Sequence, residues 1–543
     1  MRVEVSAEFY CFVGFSSCMP TPFYIGDGRV FGGTLEVSNS SAPTPSFDAG
    51  ATGSIMRTHK RLFVLPILSL ALILSGCGAG IHLVGGQPPP PVTGPFTNAN
   101  LNGSYVFLIR GTNTAFFSIA GSFQANGAGV ITAGTEDINS PGTGILMNNV
   151  AITGTYVVLA DGRTTATITS AAGNFAIDFV LLSSQHALAT RFNNSATASG
   201  IVDLQDSTAF SATALQGSFA FSLFGGNRNG NFETTAGAFT TTATNNADTI
   251  QTGVQDFNDN GALNVNRVLT GSFTNPVTGR GTASLVTNVD TLNFVYYVVD
   301  ANHLILIETD IQPALAGNAF RQSPGTIAGT LVLTMSGSSA NVAFAAGAIL
   351  HYDANNNVIA TSTEDVNRGG SATQNIPVSG TYSAMVNGRG TITVPGVGGL
   401  NSLAVYPTTG GFLLISIDGA TIASGVAFTQ QITTPSNGSL TGRYGFALAG
   451  ANNAGAVDAI AQFTADGKGS VAGNLDENSA GVLGSGLALT GTYSLASTGR
   501  GTAVFNSTAG TMNLILYMVD ASDFVYLEAD TGQVATGRIV LQQ

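Results

Sequence analysis

Four copies of Asp-x-Asn are the residues in this chain best suited to chemistry. They are Asp137 with Asn139, Asp256 with Asn258, Asp365 with Asn367, and Asp476 with Asn478, the last pair enclosing Glu477. Carboxylate and amide oxygens two residues apart suit a hard cation such as Ca²⁺. The second copy goes furthest, because Asp256-Phe257-Asn258-Asp259-Asn260-Gly261 matches the front of an EF-hand loop. Its twelfth position is Arg267 rather than a bidentate Glu, and no helix flanks it. Asp and Asn side chains also bond nearby backbone N–H groups and so shape turns. That turn role is the preferred reading of all eight residues, with Ca²⁺ as the alternative.

Other polar candidates are thinner. An arginine in a Gly-Arg-Gly-Thr turn (Arg280, Arg389, Arg500, and Arg163 in a looser copy) presents a cation to an anionic ligand or simply flanks a hairpin. The hairpin reading is preferred. Asp300 with Glu308 and Asp520 with Glu528 recur at matching places, where the first repeat has Ser184 and Arg191. Two carboxylates suffice for a glycosidase if they face each other across a substrate; a solvated hairpin is the simpler reading. His186 and His303 share a turn position that Asp523 takes in the last repeat, which argues against a catalytic base there. Gly-x-Ser-x-Gly, His-Glu-x-x-His, Walker and dinucleotide fingerprints are all missing. The expectation is a non-enzyme without an organic cofactor.

These residues sit on a fourfold repeat. Gly154-Thr155-Tyr156, Gly271-Ser272-Phe273, Gly380-Thr381-Tyr382 and Gly491-Thr492-Tyr493 each precede the arginine turn, whose first glycine follows eight residues after the motif's own. Repeats open at Gly103, Gly217, Gly329 and Gly442, spaced by 114, 112 and 113 residues. They close with a Gly five residues before a Gln, as in Gly200 and Gln205, Gly317 and Gln322, Gly425 and Gln430, and Gly537 and Gln542. A period above 100 residues is domain-sized rather than a solenoid or propeller unit. The domains are therefore read as 101–206, 214–322, 326–431 and 439–543.

Within the first repeat, eight strands are predicted at 105–110, 116–124, 129–136, 150–159, 164–169, 175–182, 187–192 and 200–205. Tyr105, Phe107 and Ile109 alternate with their neighbours, as do Phe175, Ile177 and Phe179. All connections are short and no amphipathic helix intervenes, which predicts antiparallel neighbours. The fold class is thus all-β: four tandem antiparallel meanders, each a small eight-stranded barrel, with β-sandwiches as the alternative. Closure into barrels removes unpaired edges from a chain with few charges to guard them.

Composition agrees. Only 9% of residues are charged, hydrophobic content is 44% and net charge is −13. An acidic chain with two lysines, Lys60 and Lys468, is a poor ligand for nucleic acid. Cys11, Cys18 and Cys77 all precede the repeats, which must be held by their cores alone.

The remaining information lies upstream. Met56 to Arg61 is a basic segment, Leu62 to Leu74 an apolar one, and Leu74-Ser75-Gly76-Cys77 follows. The apolar run is too short to span a bilayer comfortably and fits a secretory signal. Its end resembles the lipobox of bacterial lipoprotein signal peptides. That resemblance implies cleavage before Cys77, acylation of Cys77, and a protein held by lipid in the cell envelope, at the outer membrane or cell surface. Translation is then expected to start at Met56, with 1–55 a mis-assigned extension, 56–76 the signal peptide and 77–100 a Gly/Pro-rich tether containing Pro88 to Pro91. The Gly-Thr-Tyr strands resemble those of avidin-style barrels, but this chain has no tryptophan, so no biotin site carries over. Lipobox and repeats together resemble uncharacterised surface lipoproteins of environmental bacteria, which implies no particular activity. The expected role is surface structure, adhesion, or binding of an extracellular glycan or protein. A carrier of apolar ligands inside the barrels and a hydrolase using Asp/Glu pairs are the alternatives.

Overall fold

The strand Asn102–Thr112 shows how sequence becomes architecture here. Tyr105, Phe107 and Ile109 point into one apolar cluster, whereas Val106 and Leu108 between them point into another. Both faces are buried, so alternation of polar with apolar fades while side chains still alternate between two cores. One core is the inside of a barrel, and the other is the seam with the next barrel.

In the computed structural model, which describes residues 95–543 apart from 212, 214, 245, 246, 324, 396 and 397, each repeat is an antiparallel meander closed on itself. The eight strands of the first barrel are Asn102–Thr112, Phe116–Asn126, Val130–Ser140, Ile145–Val158, Arg163–Ser170, Gly173–Leu181, His186–Arg191 and Thr197–Leu204. All eight predicted strands are present, most of them longer than sequence implied. The first strand pairs with both its successor and the last strand, Phe107 lying opposite Gly121 on one side and Val202 on the other. In the second barrel the fourth strand is interrupted at Leu269, giving Ala262–Val268 and Thr270–Thr274, and pairing of Phe232–Thr244 with Ala247–Asp259 completes the closure. Barrels, not sandwiches, are the fold. The expected signal peptide, Cys77 and most of the expected tether lie outside the described residues.

Each interior is filled by side chains. The fourth barrel packs Tyr444, Phe446, Phe463, Phe505, Phe524 and Tyr526 into one cluster, with Phe446 stacked on Tyr526 at 5.1 Å. Glycines at strand crossings allow this density. The backbone of Gly380 in the third Gly-Thr-Tyr runs so close to the Thr393 carbonyl that a Cβ has no room. The first glycine of the arginine turn has another reason, since Gly388 adopts φ +76°, which favours glycine.

The barrels do not hang as separate beads. Val106, Leu108 and Ile201 of the first pack on Val295, Tyr297 and Ile305 of the second. Phe224, Phe232 and Phe320 of the second share a cluster with Tyr406 and Ile415 of the third, which runs on through Val332 and Ile349 to Ile515 and Val525 of the fourth. Val180, Leu182 and Leu188 of the first meet Ala447, Ala449 and Ile460 of the fourth. The seams run one to two, two to three, three to four and four to one. The four barrels form a closed ring.

Candidate functional site

Each Asp-x-Asn lies where its strand breaks register with the next, between Glu136 and Ile138, Gln255 and Phe257, Glu364 and Val366, and Leu475 and Glu477. The aspartate is thus the single residue opposite a two-residue β-bulge in the facing strand, a device that re-aims side chains. Its Oδ1 accepts a backbone N–H from the facing strand: Asn149 to Asp137 at 2.8 Å, Asn266 to Asp256 at 2.6 Å, Asn375 to Asp365 at 2.8 Å and Gly486 to Asp476 at 2.7 Å. Those four donors all take positive φ, between 55° and 62°.

The rest of each carboxylate faces the following barrel. Arg280 of the second barrel reaches Asp137 of the first through Nη2 at 2.6 Å and Nε at 2.9 Å. Arg389 of the third holds Asp256 at 2.6 and 3.0 Å, and Arg500 of the fourth holds Asp365 at 2.7 and 2.9 Å. The cycle ends with Arg163 of the first barrel, whose Nη1 lies 2.9 and 3.0 Å from the oxygens of Asp476 in the fourth. In three seams a tyrosine hydroxyl also donates to the aspartate: Tyr297 to Asp137, Tyr406 to Asp256, and Tyr517 to Asp365 at 2.6 Å. Burial works against the arginine charges, but the facing carboxylates leave all four guanidiniums pushed up overall. Fork-shaped pairing of this kind suits arginine and not lysine.

The asparagine reaches across the same seam. Asn139 Nδ2 donates to the carbonyls of Glu308 and Asp310, Asn258 to those of Ser416, Asp418 and Thr421, Asn367 to those of Glu528 and Gln533, and Asn478 to those of Arg191, Asn193 and Ala196. The closing glutamine adds a second tie in the same sense. Gln205 donates to Val298, Gln322 to Gly388, Gln430 to Thr498 and Met518, and Gln542 to Asp161 and Leu181. So the carboxylate and amide of one Asp-x-Asn serve several different strands of the neighbouring barrel. Among the described residues no group of three His, Cys, Asp or Glu side chains is placed to hold a metal. Replacing Gln322 by alanine removes one such tie at the second seam. Its expected cost is about 1 kcal/mol, read as a shift in the urea midpoint.

The paired carboxylates of the hydrolase reading are kept apart. Asp300 lies opposite His303, whereas Glu308 lies opposite Phe294 at the far end of the same hairpin. Five residues of strand separate them by about 16 Å. Asp520 and Glu528 repeat this arrangement. The expectation of a solvated hairpin is also corrected: Glu308 and Glu528 are buried, and burial pushes both carboxyls well above the usual range. Both histidines of the shared turn converge on the first seam. His186 Nδ1 contacts Asp203, and His303 Nδ1 lies 3.7 Å from the other oxygen of Asp203 while its Nε2 is 2.9 Å from Asn318. Burial lowers both imidazoles.

Ring closure creates a feature that no single repeat contains. A half-open cavity of about 1160 Å³ is walled by all four barrels, with Asp203, Asp300, Thr408 and Asp520 among its lining. Asp206 and Asp523 bring its aspartates to five, against one arginine, Arg538, which is paired with Asp523. Asp300 and Asp520 cap turns through the backbone N–H groups of Asn302 and Ser522. These positions are scattered over more than 300 residues, and only the ring brings them together.

No family model matches this chain, and no curated protein matches it. Among solved structures, a variant of the vaccine antigen transferrin-binding protein B from Haemophilus parasuis is 9% identical, covering 66% of this chain and 83% of that one, with a TM-score of 0.20. A second variant of that protein is 10% identical over 85% and 98% of the two chains, with a TM-score of 0.17. An intact transferrin-binding protein B with N and C lobes is 10% identical over 66% and 84%, with a TM-score of 0.15. Superpositions this loose carry no argument about function.

Proposed function

We propose that this chain is a non-catalytic, lipid-anchored protein of the cell envelope that binds an extracellular ligand in the central cavity of its ring. The anchor is Cys77, exposed by removal of residues 56–76, and the Gly/Pro-rich segment 77–100 lifts the ring from the membrane. The observation that carries the binding role is the cavity walled by all four barrels with a one-sided set of carboxylates. Carboxylates accept two hydroxyl hydrogens at once, and threonine and serine hydroxyls beside them both donate and accept. A glycan is the ligand class these groups serve best. Aromatic stacking on the outside contributes little, because the large apolar side chains exposed among the described residues are Val, Leu and Ile.

Two other roles fit the geometry less well. Barrel interiors packed with Tyr and Phe leave no room for an apolar cargo. Carboxylates about a strand length apart do not make a glycosidase pair.

The test is a glycan array probed with the purified protein and with its Asp300→Asn/Asp520→Asn variant, each at low and high salt. Binding that resists salt and falls at least tenfold in the variant supports the reading. Binding that collapses with salt points instead to a basic protein segment. No binding to the array or to basic peptides leaves the ring with a structural role only.

A further inference from the structure

Three of the four seams join barrels that are also consecutive in the chain. The seam between the fourth and the first joins the two ends of the repeat array, and its composition differs. Opposite the arginine, where the other seams carry Tyr297, Tyr406 and Tyr517, the first barrel has Val180. Two residues earlier, where the others have Val295, Ala404 and Ile515, it has Asp178. The fourth barrel contributes Asp458 at a position held by Ser118, Thr234 and Ala345 elsewhere. Both aspartates point out of their barrels into this seam. Both are buried, and Oδ1 of each has no hydrogen-bond partner.

We infer that the seam between the fourth and first barrels is a pH-responsive closure of the ring, and that the two faces it exposes on opening fit a second copy of this chain.

The groups around each aspartate decide the direction. Asp178 faces Asp476 from the fourth barrel, Arg163 and the Thr165 hydroxyl from its own, and Arg163 is already shared between Asp476 and Asp161. Burial, reinforced by Asp476, pushes Asp178 up to about 7. Asp458 faces the Ser199 hydroxyl, and burial pushes it well above the usual range. At the inner edge stand His186 and Asp203 from the first barrel and Asp523 and Arg538 from the fourth. His186 stays neutral in the relevant range because burial lowers it. A carboxyl raised in the closed state contributes its full stabilisation below its unfolded value, and that contribution is lost as pH rises through the raised value. The closure is therefore tight in acid; it loosens progressively as pH rises above the ordinary carboxylate range, the Asp178 contribution being spent by about 7 and the Asp458 contribution continuing to fall above that.

Opening leaves Arg163 and the carbonyls of Leu181 and Ala196 on one end of the chain, and Asp476, Asn478 and Gln542 on the other. Those faces are complementary to each other and not to themselves. Such a head-to-tail interface joins one chain to the next and builds larger rings or filaments.

The experiment is small-angle scattering with light-scattering mass on the purified protein between pH 5.5 and 9, at several concentrations. Expected are a compact single chain in acid and, in alkali, a larger radius with mass rising with concentration. The Asp178→Asn/Asp458→Asn variant is expected to stay compact and single throughout. Radius and mass that do not change with pH overturn the inference, as does a change that persists in the variant. Should the variant fail to fold, hydrogen exchange on the unaltered protein decides. Amides of Gly455–Asp466 and Thr197–Leu204 must gain at least about tenfold in opening rate in alkali relative to the equivalent strands of the second-to-third seam, the size of one pKa unit. Equal gains at both seams overturn it.

Discussion

Replacing Arg389 by alanine is expected to destabilise the protein by about 3–5 kcal/mol, the cost of stranding a buried charge. Asp256 is fully buried, and without Arg389 its carboxylate keeps only the Asn266 N–H and the Tyr406 hydroxyl. Arg389→Lys retains the charge but loses the fork, and is expected to fall between alanine and the native residue. Replacing both partners should cost less than the sum of the single changes, because no charge is then left alone in the seam. A double-mutant cycle on Arg389 and Asp256 by urea denaturation checks this. Additive single effects would mean that the pair contributes no coupling, and the ring would then rest on its apolar seams alone.

The same latch shows how far sequence reasoning reaches. The strands of the first repeat were legible because turn residues punctuate apolar runs at short intervals, and closure followed from the need to hide edges. What was not legible was the second role of outward residues such as Val106, Leu108 and Val180, since a strand buried on both faces reads like any apolar run. Asp256 and Arg389 each belong to a motif that recurs in every repeat. Their partnership was invisible because each aspartate meets the arginine of the next repeat, a relation that a comparison within one repeat never tests. A signal did exist. Aspartate, arginine and closing glutamine recur once per repeat in all four repeats, including the first, whose arginine turn is otherwise looser. A repeat feature kept on the surface of every domain is as well explained by contact between domains as by a ligand. The meeting of the cavity aspartates had no signal: Asp300 and Asp520 recur at matching places and Asp206 occupies an ordinary turn, but only the ring brings them to one cavity.

The second large effect concerns the glycine that closes each repeat. Gly537→Val is expected to destabilise the fourth barrel by about 2–5 kcal/mol, combining overpacking of about 1–3 kcal/mol with loss of a buried hydrogen bond of about 1–2 kcal/mol. The last strand crosses the first so closely here that a Cβ on Gly537 meets the Ala447 carbonyl and the ring and hydroxyl of Tyr526. Tyr526 donates to that same carbonyl at 2.7 Å inside the barrel, so the new side chain displaces the ring and breaks its bond together. Gly200, Gly317 and Gly425 stand in the same relation to Leu108, Ser222 and Thr334, which explains the glycine at this place in every repeat by space and not by backbone angle. Gly144, by contrast, has φ +67° and nothing within 4 Å of its Cβ position, so Gly144→Asn is expected to be nearly neutral. Thermal unfolding of the two variants side by side checks the argument. A Gly537→Val protein melting with the Gly144→Asn protein would show that the last strand can move away from the first, and the ring would then owe less to tight barrels than to the latches between them.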